Sequence, residues 1–140
     1  MNAKAYLSRV YCLDLQVKSK QEQIEALRSL AARVSTGLDK EPVKHSLNVT
    51  AMEDTVARIM EAEEELQRKI REMVDMMREI SAVIDRVEDV YARLVLEKRY
   101  LRFQPWMNIA AELNYTERYV HMKHGEGLRA VQEILDEREE

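Results

Sequence analysis

Apolar residues recur at alternating intervals of three and four along the first part of the chain, which is the spacing of one helix face. The series predicts a helix over residues 3–35, with the charged Lys20 at one of its positions. Gly37 suits the end of this helix, because glycine adopts left-handed backbone angles without strain. The following segment, TGLDKEPVKHSLNV at 36–49, predicts a connection. The apolar members of the series are Val10, Leu13, Val17, Ile24, Leu27, Ala31 and Val34.

A second series of the same period predicts a long helix that begins at Thr50. Thr50 and Glu53 fit a capping box, in which each side chain bonds the free backbone N–H of the other residue. The alternating spacing keeps one seam toward a partner helix and is typical of a left-handed coiled coil. The series comprises Met52, Val56, Ile59, Glu63, Leu66, Ile70, Met73, Met77, Ile80, Ile84 and Val87.

Each series contains one charged interruption, Lys20 in the first and Glu63 in the second. If the two helices pack antiparallel with Lys20 opposite Glu63, every other layer pairs apolar with apolar. We therefore predict an antiparallel, coiled-coil-like hairpin over residues 1–86, with this ion pair fixing its register. The methionines at 73, 76 and 77 are expected to belong to the core. Both seams could instead serve an oligomer, or the hairpin could also dimerise.

Shorter elements follow from residue 87 onward. The segment VEDVYARLVLEKRYL predicts a helix with Val90, Tyr91, Leu94 and Val95 inward, ending near residues 102–104. Pro105 suits the first turn of the short helix PWMNIAAEL, where its missing N–H costs nothing.

A three-residue turn at 114–116 then separates this short helix from a final one. Asn114 can end the first helix in the left-handed conformation, and Thr116 is a good N-cap for TERYVHMKHGEGLRAVQEILDE. Helix, tight turn and helix describe a helix-turn-helix, whose second helix can enter a DNA major groove. The predicted inward residues are Ile109, Ala110, Leu113, Val120, Leu128 and Val131, and the predicted outward ones are Thr116, Glu117, Arg118, Tyr119, His121 and Met122.

Residues 87–132 resemble region 4 of bacterial sigma factors. The matching elements are VLEKRY at 95–100, IAAEL at 109–113, Thr116, and Gly127-Leu128 near the end of the last helix. A long helical N-terminal half before such a unit is similar to small phage-encoded sigma-like regulators of Gram-positive hosts, including the ArpU-type late-gene regulators. The resemblance implies a C-terminal DNA-binding domain over 87–140. The pattern departs from that family at Lys123, Gly125 and Gly127, and in the acidic end DEREE.

Candidate DNA contacts follow from the outward face of the last helix. Arg118 is the best base-reading candidate, because arginine can bond the guanine edge with two hydrogen bonds. Thr116, Glu117, Tyr119 and His121 lie beside it. Arginines and lysines that hold phosphates position a protein without reading sequence. The candidates for that role are Arg99, Arg102 and Lys123, with Lys98 as a weaker one.

The charge of the chain limits the affinity for DNA that we expect. The net charge is −4, and residues 87–135 carry seven basic and seven acidic residues, so no segment is strongly basic. Strong nonspecific affinity for nucleic acid, which depends on many lysines and arginines, is therefore not expected. No apolar run reaches the roughly 20 residues that span a bilayer, and the N-terminus lacks the features of a signal peptide. We expect a cytoplasmic protein of a bacterial host with no membrane contact.

Catalysis is not expected. The sequence contains no nucleophile, phosphate-binding loop or carboxylate pair in a catalytic setting, and no cofactor is implied. His121 and His124 are spaced as a possible metal pair, but no further ligand lies nearby in sequence, so no metal is predicted.

Several functions remain open. The first is a sequence-specific, sigma-like transcription regulator of phage or prophage origin, binding double-stranded DNA as a homodimer, with RNA polymerase as a further possible partner of the helical arm. The second is a phage structural, assembly or DNA-packaging subunit that carries a helix-turn-helix. The third is a protein-interaction module that has lost DNA binding.

Overall fold

The computed structural model describes residues 1–36 and 42–139. Helices make up 89% of the structure, and the described ranges contain no β-strand, so the prediction of an all-α protein is confirmed. None of the helices in these ranges is both long and apolar enough to cross a bilayer. The helices are α1 (Ala3–Leu7), α2 (Arg9–Thr36), α3 (Pro42–Asp85), α4 (Val90–Leu96), a π-helical turn (Glu97–Leu101), α5 (Trp106–Leu113) and α6 (Glu117–Glu139).

The chain forms two compact units. The large unit contains residues 1–13 and 73–140, and the small unit contains residues 14–72. Residues 1–13 and 73–86, predicted as parts of the hairpin, therefore share a compact unit with the C-terminal helices. The functional division at residue 86 stays a prediction.

The first predicted helix is interrupted once, at Ser8. Asn2 caps α1 by accepting a hydrogen bond from the backbone N–H of Ala5 at 3.2 Å. The Ser8 hydroxyl donates to the carbonyl oxygen of Lys4 at 2.7 Å. Serine bonds of this kind compete with regular helix geometry, which explains why α1 ends at Leu7 and α2 begins at Arg9.

The predicted ion pair between Lys20 and Glu63 does not form. Lys20 pairs with Glu65, and Glu63 accepts a hydrogen bond from Arg28 at 2.5 Å. All of these side chains are partly exposed, so the pairs lie where water solvates them. Solvated ion pairs contribute little energy, and several carboxylates of the acidic run 61–65 can therefore compete for one lysine.

The second long helix begins earlier than predicted. α3 starts at Pro42, so Thr50 and Glu53 lie inside the helix and do not cap it. Proline is favoured at the first helical position, where its missing N–H is not needed. Residues 37–41, which include Gly37 and part of the predicted connection, lie outside the described residues.

The prediction that Val56 lies in the buried seam of α3 is also wrong. Val56 is 45% exposed, whereas the neighbouring Thr55 is buried. The Thr55 hydroxyl donates to the carbonyl oxygen of Ala51 at 2.7 Å. This bond satisfies the hydroxyl within its own helix, so a polar side chain can be buried here without an unpaired donor.

The core of the large unit joins α1 and the start of α2 to the end of α3, α4 and α6. Its members include both early and late residues of the chain, and the methionines at 73, 76 and 77 pack against it, as predicted. The fully buried side chains of this core include Leu7, Val10, Ile80, Val83, Ile84, Leu96 and Val131.

The start of α4 differs from the prediction, because Val90 and Tyr91 are exposed rather than inward. Asp89 caps the helix by accepting a hydrogen bond from the Ala92 N–H at 3.0 Å, so the helix begins at Val90 and not near residue 87. Val90 and Tyr91, at the start of its first turn, thus face solvent. The buried residues are Ala92, Val95 and Leu96, and Leu94 is half-buried.

α4 and α6 pack tightly against each other at Gly127. A Cβ atom at this position would lie 2.9 Å from Leu96 Cδ1 and 3.0 Å from Leu96 Cγ. Gly125 is different, because its nearest neighbour would be a side-chain nitrogen of Arg129 at 3.7 Å, an ordinary contact. The packing of α6 on α4 thus requires glycine at 127 and not at 125.

The two glycines give a matched pair of stability variants. We expect Gly125→Ala to raise the free energy of unfolding by up to about 1 kcal/mol, because alanine favours helix. Gly127→Ala receives the same helix benefit but pushes a methyl group into the fully buried Leu96, and such overpacking costs about 1–3 kcal/mol. In urea unfolding, the free energy of unfolding of Gly127→Ala should be lower than that of Gly125→Ala by about 1–3 kcal/mol. Equal stability of the two variants would contradict the close approach.

Candidate nucleic-acid interface

A tight corner at residues 114–116 connects α5 to α6, as predicted. Asn114 adopts the left-handed conformation, with φ 59° and ψ 43°. The backbone N–H of Tyr115 donates to the carbonyl oxygen of Ala110 at 3.0 Å, which closes the end of α5. Asparagine tolerates this conformation better than most residues, so the local sequence determines where α5 stops.

Thr116 begins the next helix. Its hydroxyl oxygen accepts a hydrogen bond from the Tyr119 N–H at 3.1 Å, which confirms Thr116 as the N-cap of α6. At the other end of α5, Pro105 is the N-cap rather than a residue of the first turn. Its carbonyl oxygen accepts bonds from the N–H groups of Asn108 and Ile109, so the helix proper begins at Trp106.

A small apolar core holds α5 against the start of α6. The predicted inward residues Ile109, Ala110 and Val120 are buried there together with Val95 of α4, and Trp106 and Leu113 pack at its edge. Further along α6, Val131 and Leu128 join the main core of the large unit. The first two turns of α6 are therefore anchored on one side only.

The other side of these turns faces solvent. Five of the six predicted outward residues are exposed and Tyr119 is half-buried. The exposed residues are Thr116, Glu117, Arg118, His121 and Met122.

Lys123, predicted to hold a phosphate, is already bound within the protein. Its ammonium donates to Asp89 at 2.8 Å and to Glu126 at 3.0 Å, and only 13% of the side chain is exposed. These two bonds raise the pKa of the Lys123 ammonium, and the bond from Lys123 is the main cause that lowers the pKa of the Asp89 carboxyl. The charge of Lys123 is thus largely compensated by its neighbours.

Arg99 and Lys98 are also engaged. The Arg99 guanidinium donates to the carbonyl oxygen of Gln104 at 3.0 Å and lies over the Trp106 ring at 4.5 Å. Lys98 pairs with Glu112, and this bond is the main cause that lowers the pKa of the Glu112 carboxyl. Both cations hold the segment between α4 and α5 in place.

Among the cations predicted to contact DNA, Arg118 and Arg102 are not engaged in ion pairs in the part of the chain that the structure describes. Both are exposed, and neither forms an ion pair with any residue within 1–36 or 42–139. Arg118 lies in the first turn of α6, and Arg102 follows the π-helical turn. The structure therefore leaves one predicted base-reading cation and one predicted phosphate-binding cation free to meet a ligand.

A cluster of three tyrosines beside the corner was not predicted. The Tyr115 ring stacks on Tyr119 with centroids 4.2 Å apart and meets the edge of Tyr91 at 5.3 Å. Tyr91 and Tyr115 are 41% and 39% exposed. A hydrogen bond with Tyr91, together with desolvation, raises the pKa of the Tyr115 hydroxyl. No periodic pattern signals this cluster, because Tyr91 lies 24 residues before Tyr115 in the sequence.

His121 and His124 both contact Trp106. Their rings lie 4.4 and 4.7 Å from the tryptophan ring. The Tyr100 hydroxyl also bonds His124 Nε2 at 2.6 Å. Burial, with smaller contributions from Lys4, His121 and Arg99, lowers the pKa of His124 to about 4. Within the described ranges, no three potential ligands are grouped as a metal site requires.

The lowered pKa of His124 predicts a pH dependence of stability. The unfolded chain binds a proton near pH 6.5, whereas the folded protein resists protonation until about pH 4, so acidification through this window favours unfolding. After discounting for the partly solvated ring, we expect His124 to account for a loss of about 1–2 kcal/mol across the window.

Urea unfolding at several pH values measures this loss. Carboxyl groups titrate in the same range, so the informative quantity is the difference between wild type and His124→Gln. That difference should shrink as the pH falls from 7 to 4, while the difference between wild type and His121→Gln, a variant of an exposed histidine, should change less. A constant wild-type advantage over His124→Gln would contradict a buried neutral histidine.

The chain matches no family model, no curated protein sequence and no solved structure. The corner, the exposed face of α6 and the charges around them are therefore the basis for a functional proposal.

Proposed function

We propose that the protein is a sequence-specific DNA-binding transcription regulator, sigma-like in its C-terminal unit and encoded by a phage or prophage. In this proposal α5, the corner at 114–116 and α6 act as a helix-turn-helix. The observation that supports it most is the solvent exposure of the first two turns of α6, whose opposite side is anchored in an apolar core. A major groove can accept a helix presented in this way.

The exposed side chains have distinct roles in the proposal. Arg118 bonds the guanine edge through O6 and N7, and Glu117 can accept a hydrogen bond from cytosine N4. Thr116, Tyr119 and His121 contact the groove wall or neighbouring bases. Arg102 holds a phosphate and so positions the protein on the duplex.

Arg99 and Lys123 are weaker phosphate contacts than the sequence suggested. Each would have to exchange an existing bond with Gln104, Asp89 or Glu126 for a phosphate. Loss of such a bond offsets much of the gain from the new contact. We therefore infer that affinity depends on few phosphate contacts and has a shallow salt dependence.

The small unit is proposed as a helical hairpin that joins two copies of the chain, with RNA polymerase as a second possible partner. Among the described residues of 14–72, the buried ones are Val17, Ile24, Thr55 and Ala62, which is a small core for two long helices. A groove of about 960 Å³ between α2 and α3 contains Ile24, Leu66 and the 60% exposed Met60. A second hairpin would cover the exposed parts of Leu66 and Met60. The cytoplasm of a bacterial host is the compartment that this function requires.

A protein-interaction role is the second candidate. It is favoured by the ion pairs that Lys98 and Lys123 form with Glu112 and Asp89, which leave less positive charge for DNA. The exposed apolar surface of Tyr91 and Tyr115 favours it as well. A phage assembly or DNA-packaging subunit is a further alternative, which the oligomeric state distinguishes. Light scattering should give a monomer or dimer for a regulator and a ring of eight or more copies for a packaging subunit.

Selection of bound sequences from random duplex DNA tests the proposal. Wild-type protein should enrich one motif, and Arg118→Ala should lose preference at one base pair of that motif. A bidentate arginine–guanine contact contributes about 1–3 kcal/mol, so discrimination at that position should fall by about tenfold to a hundredfold. Arg129→Ala is the matched control, because Arg129 is an exposed arginine later on the same helix.

Two outcomes would count against the regulator. The first is that wild-type protein enriches no sequence even at low salt, where phosphate contacts are strongest. The second is that Arg118→Ala binds tightly with an unchanged motif, in which case Arg118 does not read a base.

A further inference from the structure

The large unit contains a cleft of about 360 Å³ whose lining shares only Arg99, a weaker phosphate contact, with the proposed DNA interface. It lies where the junction of α1 and α2 meets the π-helical turn and the start of α5. Two cations, Lys4 and Arg99, and four aromatic rings line it, and we call it the aromatic cleft. The rings are Tyr11, Tyr100, Phe103 and Trp106.

The rings are held in place by neighbours. Tyr11 meets Phe103 edge to face, with centroids 5.5 Å apart. Tyr100 is fixed by its hydroxyl bond to His124, and Trp106 packs against both His121 and His124. Flat apolar surfaces that are already ordered lose little conformational freedom when a planar ligand binds.

The backbone beside the cleft is in an uncommon conformation. Phe103 has a φ of 57°, a value that non-glycine residues rarely adopt, and it lies two residues after the end of the π-helical turn. The Arg99 guanidinium bridges this strained segment by bonding the Gln104 carbonyl oxygen and covering the Trp106 ring. Strained backbone and single π-helical turns both occur frequently at functional sites.

The cleft is also positively charged in a chain of net charge −4. Lys4 is exposed and forms no ion pair with the residues that the structure describes, and no acidic side chain is among those that line the cleft. The positive field reaches the adjacent His124, where Lys4 and Arg99 add to the effect of burial in lowering its pKa. An anionic group would therefore be stabilised beside Lys4 and Arg99.

We propose that the aromatic cleft binds a small anionic aromatic molecule, a planar ring that carries a carboxylate or a phosphate. The ring packs on the aromatic side chains, and the anionic group pairs with Lys4 and with the free N–H groups of Arg99. The volume lies in the range of small-ligand sites, about 300–1,000 Å³, and near its lower end, which suits one or two fused rings.

Binding can be followed directly at Trp106. It is the only tryptophan, so full-length protein labelled with 5-fluorotryptophan gives a single ¹⁹F resonance. Four probes separate the contribution of the aromatic ring from that of the anionic group. They are 2-naphthoate, adenosine 5′-monophosphate, neutral 2-naphthamide and inorganic phosphate. The first two distinguish a carboxylate source of the ligand from a phosphate source. This measurement needs no DNA, so its outcome is independent of the proposed regulator function.

At least one of the two anionic aromatic probes should shift the Trp106 resonance saturably. We expect 2-naphthamide and inorganic phosphate to bind at least about tenfold more weakly, because each lacks one half of the interaction. Lys4→Met should weaken the better probe by about tenfold, whereas Arg71→Met, which removes an exposed positive charge from the small unit, should leave its affinity unchanged.

The proposal is overturned if neither anionic aromatic probe saturates, or if 2-naphthamide binds as tightly as 2-naphthoate. It is equally overturned if Lys4→Met binds the better probe like wild type. Thermal unfolding of Lys4→Met checks that the variant is folded. Should that variant fail to fold, the comparison of the four probes on wild-type protein decides the question alone.

Discussion

The contact between Gly127 and Leu96 determines how α6 divides between core and surface. Because Gly127 has no side chain, the Leu96 side chain of α4 packs directly against it, and the later turns of α6 are buried against α4 and α1. Val120 fixes the beginning of the same helix on α5. The opposite side of the first two turns faces solvent, and the proposed DNA-reading residues lie on it or at its edge, where Tyr119 stacks on Tyr115 and His121 contacts Trp106. The helix is rigidly supported and still accessible, which is what recognition of a duplex requires.

Local chemistry was predictable from the sequence. Asn114 ends α5, Thr116 caps α6, and Val120 and Val131 face inward, because each property depends on one residue type and its immediate backbone. The carboxylate that pairs with a partly exposed lysine was not predictable. Lys20 had several carboxylates within reach in the run 61–65, and solvated pairs differ too little in energy for a spacing rule to select one.

Tertiary contacts explain the remaining errors and the features that were missed. Asp89 both caps α4 and binds Lys123, 34 residues later, so one side chain fixes where α4 begins and neutralises a predicted phosphate contact. The aromatic cleft combines residues 4–11 with residues 99–106, and neither segment signals a ligand site alone. The sequence therefore predicted the exposed face of α6 well and its electrostatic surroundings poorly. Most cations near that face serve the fold, which restricts the proposed interface to a few specific contacts.

Mapping of backbone amide shifts tests the central claim most directly. The ¹⁵N-labelled full-length protein would be titrated with the duplex recovered by sequence selection, and with a scrambled duplex of the same length and composition. The largest shifts specific to the selected duplex should fall within residues 116–122, at the exposed start of α6. Specific shifts concentrated in residues 14–72, or shifts that are the same for both duplexes, would contradict the assignment of α6 as the recognition helix.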